Sequence, residues 1–311
     1  MKKITSFTVV VLSVMLIAGC QNTSFQKTKS NLVYKIYRSK DTAAVHEGDV
    51  MKVQVIQKIN DSALFDSHDG VPVYLPVGMG GMSRPYDPSE VFTKLKLNDS
   101  LVTVQMMDTF IKQNPRLLQR FKNGDRIITT FKVLKIYKRG ENYLIDQQKD
   151  QEKVVAAKDK ELDDYIAANK INATKTKDGV YVQMIAEGQG AQADSGKYVS
   201  VKYKGSTLKG KVFDTNMDSS FHHTELLKFT IGRREMVTGF DEGVRAFKNG
   251  GHGKIYIPTM LAWGPNPTSP DIKPFDPVMF ELTVENVEDK APENPLRNIP
   301  LPKVDTTQRK K

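Results

Sequence analysis

The sequence predicts an α+β protein in which two copies of a β-rich unit are separated by one amphipathic helix, and three observations carry that prediction. The first is the placement of proline. Four prolines fall between Pro72 and Pro88 and one is Pro115; none follows until Pro258, six occur by Pro277, and four more lie between Pro292 and Pro302. Proline lacks a backbone donor and interrupts helices and central strands, so the long regular elements belong to the proline-free middle. The second is internal resemblance. Val53–Ser67 aligns without a gap to Val201–Thr215, and both stretches contain Phe-Asp near their ends (Phe65-Asp66; Phe213-Asp214). Each is followed by a short alternating strand (Leu101–Val104; Lys254–Ile257) and a closing strand (Ile127–Ile136; Val278–Val287) with apolar residues at period two. Such repetition points to two copies of one unit. The third is the segment between them, Asp150 to Asn169. There Leu162 lies seven residues after Val155, and Tyr165 and Ile166 follow at three and four, which is one face of a helix.

Taken in order, the chain opens with Lys2 and Lys3, an apolar stretch from Phe7 to Ile17 broken by Ser13, and small residues before Cys20. This is the plan of an export signal. A stretch of about eleven residues is too short to span a bilayer, which takes about 20 in a helix. The run Leu16-Ile17-Ala18-Gly19-Cys20 resembles the lipobox of bacterial lipoproteins, where the signal is cut before an acylated cysteine. That resemblance implies a signal over 1–19 and a membrane attachment through lipid on Cys20. Several acyl chains, at ~0.8 kcal/mol per buried methylene, hold stably where one is marginal. Gln21 follows where lipoproteins kept in the inner membrane usually carry Asp, so in a diderm bacterium the expected place is the cell envelope, at the outer membrane facing the periplasm. Residues 20–44 are polar and read as a tether. The remaining expected divisions are a first β-rich domain over 45–140, a helical linker over 141–175, a second domain over 176–290, and a basic proline-containing tail over 291–311.

Composition excludes several function classes. One cysteine in 311 residues rules out a disulfide-stapled scaffold and a zinc site built on several thiolates. The formal charge of +10 falls to +8 when Lys2 and Lys3 leave with the signal, and residues 290–311 carry +4 of that. No basic face with interleaved aromatics is visible, so nucleic acid is not an expected partner. The adjacent pair His222-His223 stands without cysteine or an HExxH pattern and reads as a solvent loop, with no metal expected. Gly78-Met-Gly-Gly-Met82 lacks the Lys-Ser/Thr of a phosphate loop.

The second copy carries the chemistry. Val201-Lys-Tyr203-Lys-Gly205, Gly210-Lys-Val-Phe213-Asp214, Phe229-Thr-Ile-Gly232, Glu235-Met236-Val237-Thr-Gly239-Phe240-Asp-Glu242-Gly243-Val244, Ile257-Pro258 with Ala262-Trp263-Gly264, and Met279-Phe280-Glu-Leu282 occur in that order. Over about 176–289 this resembles the FKBP-type peptidyl-prolyl isomerases. The resemblance implies a bent antiparallel sheet wrapped on a short helix from about Val237 to Ala246, and hence two FKBP-like domains joined by the amphipathic helix. It also implies a pocket lined by Tyr203, Phe213, Asp214, Leu227, Met236, Val237, Phe240, Trp263, Ile272 and Phe280. Phe240 is the expected floor, Phe213 and Phe280 the walls, and the Val237 N–H and Tyr203 hydroxyl the polar contacts; Phe229 is expected to be core. Trp263 stands where the family usually has tyrosine. Thr268 stands where it has histidine, and the family's arginine after Asp214 has no counterpart.

The implied activity is isomerisation of X-Pro bonds in proline-containing polypeptide clients, those of exported proteins. Rotation about a trans X-Pro amide faces about 18–20 kcal/mol. No bond is made or broken, so no cofactor is expected. The alternative reading is a non-catalytic chaperone or envelope assembly module that binds peptides on the same fold. In the first copy Val55 aligns with Tyr203, only Phe65-Asp66 is retained, and no turnover is expected.

Overall fold

The structure is a computed structural model, and it describes residues 24–68, 70–78 and 86–291. Cys20, the segment expected to be an export signal and the basic tail beyond residue 291 lie outside the described residues. The chain divides into two compact units at Asn142/Tyr143.

The first unit contains β1 (Gln26–Lys27), β2 (Val33–Tyr37), β3 (Val50–Ile59), β4 (Ser62–Asp66), β5 (Val73–Pro76), β6 (Ser100–Met106), α1 (Met107–Gln113) and β7 (Arg126–Tyr137). Its sheet runs β1-β2-β6-β7-β3-β4, with β5 also on β3, and all pairs are antiparallel. The second unit contains α2 (Leu144–Ala168), β8 (Thr174–Lys175), β9 (Tyr181–Ala186), β10 (Tyr198–Thr207), β11 (Val212–Thr215), β12 (Leu227–Thr230), α3 (Thr238–Val244), β13 (His252–Ile257) and β14 (Val278–Glu288). Its sheet runs β8-β9-β13-β14-β10-β11, with β12 on β10. Strand for strand the two orders are the same. The irregularities of the central strand coincide as well: β3 and β10 each carry one bulge against the closing strand, at Lys52/Val53 and Ser200/Val201, and one against the hairpin partner, at Gln57/Lys58 and Gly205/Ser206, while a further one at His252/Gly253 of β13 is confined to the second unit. Bulges are specific features, and two in matching places mark two copies of one domain. The fold is α+β with two FKBP-like domains.

Three sequence expectations change. The tether predicted over 20–44 contains β2, which pairs with β6 and buries Leu32 and Tyr34. The signal was the alternation Leu32-Val-Tyr34-Lys-Ile36, short and flanked on both sides by polar residues. The helix predicted from Asp150 starts at Leu144 and belongs to the second unit, where Leu162 and Ile166 pack with Tyr256. The gapless match of Phe65-Asp66 to Phe213-Asp214 is off by one residue. Gln57 pairs with Phe65, whereas its counterpart Gly205 pairs with Asp214, because the first hairpin is one residue shorter. Leu64-Phe65 therefore occupies the place of Phe213-Asp214, on a strand exposed throughout.

In the second unit the core is built from Val199, Val201, Phe229, Phe240, Val244, Phe247, Ile255, Ile257, Leu282 and their neighbours. Gly239 and Gly243, one turn apart on α3, set that helix directly on Ile257 and Ile255, two apart on β13. A Cβ at either glycine would stand 2.2 Å or 2.8 Å from those side chains. In the first unit a 3-10 helix over Pro88–Lys94 takes the place of α3. Asp87 and Glu90 form its capping box, and it buries Val91 and Phe92.

Candidate active site

Four segments converge between the sheet and α3. Tyr203 and Gly205 lie on one face of β10, two residues apart. Adjacent strand residues normally point to opposite faces, yet Phe213 and Asp214 both line the same cavity. The bulge at Gly205/Ser206 accounts for this: Asp214 pairs with Gly205, Val212 pairs with Ser206, and Phe213 is the extra residue turned inward. Gly205 leaves room for the walls, since a Cβ there would lie 2.6 Å from the Phe213 ring and 2.7 Å from that of Phe280.

The cavity holds about 390 Å³ and is lined by Tyr203, Phe213, Asp214, Leu227, Glu235, Met236, Val237, Phe240, Trp263, Thr268, Ser269, Ile272 and Phe280. All ten residues expected from the sequence are brought together; Glu235, Thr268 and Ser269 join them. The aromatic rings meet edge to face. Phe240 and Phe280 are 4.9 Å apart at 75°, Phe213 and Phe280 5.6 Å at 85°, and Phe213 and Trp263 5.6 Å at 90°. This is the favoured contact for rings with a negative face and a positive edge, and it fixes the walls as a rigid set. Phe240 is wholly buried beneath them, with Phe229 behind it at 5.9 Å in the core.

The polar groups are few and differ in availability. The Tyr203 hydroxyl donates to Asp214 Oδ2 at 2.6 Å. Burial and then the Asp214 carboxylate raise the phenol above its ordinary pKa, so the proton stays in place. Toward the cavity, Tyr203 therefore offers an acceptor oxygen; its one donor is committed. The Val237 N–H, at the start of α3, and the Trp263 indole N–H donate to no protein atom among the described residues. The turn leading to Val237 is held by Asp241 of α3, whose carboxylate accepts from the Gly232 N–H at 2.8 Å. Burial raises the Asp241 carboxyl above its ordinary pKa despite that bond.

Two contributing residues escaped the sequence reading. β11 and β12 are two halves of one edge strand along β10, and in the gap between them the buried Asn216 side chain substitutes for strand pairing. Its Oδ1 accepts from Tyr203 N–H at 2.8 Å, and its Nδ2 donates to Val201 and Glu225 carbonyls at 3.0 Å. Ser67 does the same in the first unit, its Oγ accepting from Val55 N–H at 2.8 Å. The second residue is His223. Its segment is irregular, as expected, but its Nε2 lies 2.9 Å from Asp214 Oδ1.

At the same positions in the first unit the site is absent. Val55 replaces Tyr203, Gln57 replaces Gly205, Leu64-Phe65 replaces Phe213-Asp214, and Thr129, the register partner of Gln57, replaces Phe280. Gln57 Nε2 donates to Thr129 Oγ1 at 3.2 Å where the second unit has aromatic walls.

A preformed cavity with aromatic walls and two unengaged donors has the shape and chemistry to hold a small apolar group next to a carbonyl. Comparison with known proteins agrees. The family described as FKBP-type peptidyl-prolyl cis-trans isomerase matches residues 189–285. An FK506-binding protein of Neisseria meningitidis serogroup B is 30% identical over 109 residues, 35% of this chain and 96% of that protein. FK506-binding protein 1A of Neurospora crassa is 32% identical over 112 residues, 36% of this chain and 90% of that protein. The chain belongs to the FKBP-type peptidyl-prolyl cis-trans isomerase family. It spans only about a quarter of longer relatives such as FK506-binding protein 4 of Rhizopus delemar, 34% identical over 109 residues, 35% of this chain and 27% of that protein. Among solved structures, FkpA from Escherichia coli is 27% identical with a TM-score of 0.38, over 46% of this chain and 64% of that one.

Proposed function

We propose that the second unit isomerises X-Pro bonds in polypeptide clients, among them exported proteins. The observation that supports this most is the mutual contact of Phe213, Trp263 and Phe280, with Phe240 packed on Phe280, lining a cavity that has free donors at Val237 and Trp263. Hydrogen bonding of water to the carbonyl before proline stabilises the planar amide. A cavity that strips that water and holds the ring lowers the barrier to rotation. Phe240 is the floor under the pyrrolidine, Phe213 and Phe280 confine it, and the Val237 N–H takes a substrate carbonyl. The Trp263 N–H is the second donor, serving where the family's tyrosine does. Acceleration by a thousandfold requires about 4 kcal/mol of preference for the twisted amide over the planar one. Tyr203 and Asp214 hold one another and shape the wall. The test is isomerisation of a short X-Pro peptide by the full chain: acceleration above the spontaneous rate, lost in Phe213→Ala, is the expected result.

The first unit, with Gln57 and Thr129 in place of its aromatic walls, binds or positions client chains without turning them over. Attachment to the cell envelope through lipid on Cys20, after removal of 1–19, completes the proposal. Leu16–Cys20 supports it, and among the described residues no helix is long and apolar enough to cross a membrane. Incorporation of labelled fatty acid into the chain, lost in Cys20→Ser, tests it.

A further inference from the structure

Asp214 is held on two sides. One carboxylate oxygen accepts the Tyr203 hydroxyl from within the cavity at 2.6 Å, and the other faces His223 Nε2 at 2.9 Å from outside it. Among the described residues no lysine or arginine makes an ion pair with this carboxylate; its cationic partner, when charged, is His223. The path of the chain brings the imidazole there. After Asn216 the segment forms one short 3-10 turn over Ser219–Phe221, started by Asp218, whose Oδ1 accepts from Ser220 N–H at 2.9 Å. His222 then adopts a left-handed backbone, φ 61°, which reverses the chain so that His223 returns to β11. Asn216 ties the base of this loop and the His223–Asp214 contact ties its far side.

We propose that His223 is a positioning residue of the isomerase site: it clamps Asp214 against Tyr203 and so ties turnover to the charge on one imidazole. This rests on the isomerase reading above and adds a regulation to it. Imidazole is the side chain whose charge ordinarily changes between pH 5 and 8. Charged, it adds an ion pair to the hydrogen bond that the imidazole N–H gives the carboxylate in either state. The ionisable groups on the surrounding elements are Tyr198, Lys202, Tyr203 and Lys204 on β10, Asp214 on β11, Lys228 on β12, Arg233, Arg234 and Glu235 in the turn before α3, and Asp218, His222 and Glu225 on its own segment; Lys202 and Lys204 pair with Glu285 and Glu281 of β14. Asp214 is the one His223 touches. Both side chains are about two-fifths exposed, so the change in kcat/KM is that of a partly solvated pair, about two- to fivefold.

The experiment is the pH profile of kcat/KM for an X-Pro peptide from pH 5.5 to 8.5, with the full chain and its His223→Gln and His223→Ala variants. The wild type is expected to fall two- to fivefold as pH rises. His223→Gln, which keeps a neutral donor, is expected to be flat near the alkaline wild-type value, and His223→Ala flat and lower. A His223→Gln profile that keeps the wild-type fall, or a His223→Ala profile that matches the wild type throughout, overturns the proposal. The His223 ring resonances are read alongside by NMR at one fixed pH in wild type and Asp214→Asn. They are expected to move in the variant, because the carboxylate 2.9 Å from Nε2 is gone, and unmoved resonances overturn the clamp. An inactive wild type contradicts the isomerase reading itself, and the ring resonances still decide the pairing.

Discussion

Gly205 and Phe280 are register partners across β10 and β14, and the missing side chain of Gly205 is what lets the Phe280 and Phe213 rings reach the sheet. Gly205→Ala is expected to force both rings outward, destabilising the second unit by about 1–3 kcal/mol. Thermal unfolding measures that loss. Isomerisation is expected to fall at temperatures where the variant is still folded, because the walls no longer meet at 5.6 Å.

Phe240 is wholly buried and touches Tyr203, Phe229 and Phe280. Phe240→Leu is expected to destabilise the unit by about 1–2 kcal/mol and to lower kcat/KM at least tenfold, since the floor under the proline ring is lost. Denaturant unfolding and the peptide assay, on the same sample, separate the two effects.

Tyrosine ionisation gives a pH prediction with a definite sign. Burial, then Asp214, raises the Tyr203 phenol; burial, with Tyr165 and Glu281 near, raises that of Tyr256 to about 12. The folded state thus prefers the protonated phenols. The stability linked to this preference is complete below the unfolded value near 10 and is lost as pH rises from there toward the folded values. Stability of the second unit should fall between about pH 10 and 12, and Tyr256→Phe should make that fall shallower. Chemical denaturation at stepped pH reads both.

The helix α2 is part of the second unit, so a fragment beginning at residue 176 should be weaker than one beginning at 143. Leu162 and Ile166 cover Tyr256, and their burial contributes roughly 2–5 kcal/mol after the ordering of the helix is counted. Equal unfolding midpoints for the two fragments would show the helix to be a mere connector.

The pocket was legible in the sequence through the resemblance to the isomerase family, which carried its positions over motif by motif, from Phe213-Asp214 through Gly239-Phe240 to Trp263 and Phe280. The duplication was legible from period-two strands on both sides of the helix. What stayed hidden depends on register. A hairpin shorter by one residue moved Phe65 into the place of Asp214, and no propensity encodes that slip. The contact of His223 with Asp214 arises from an irregular segment with a left-handed residue at His222, which has no periodicity to read. β2 escaped because five strand residues amid polar neighbours resemble a tether until a partner strand covers them.

The central claim is that the second unit, through its aromatic cavity, turns over X-Pro bonds. It is tested most directly by the isomerisation rate of a short X-Pro peptide measured together with Trp263 fluorescence, Trp263 being the sole tryptophan. Acceleration that saturates over the same peptide concentrations as the fluorescence change, with both lost in Phe213→Ala, is the predicted result. A saturating fluorescence change with no acceleration above the spontaneous rate would contradict it and leave a peptide-binding module without catalysis.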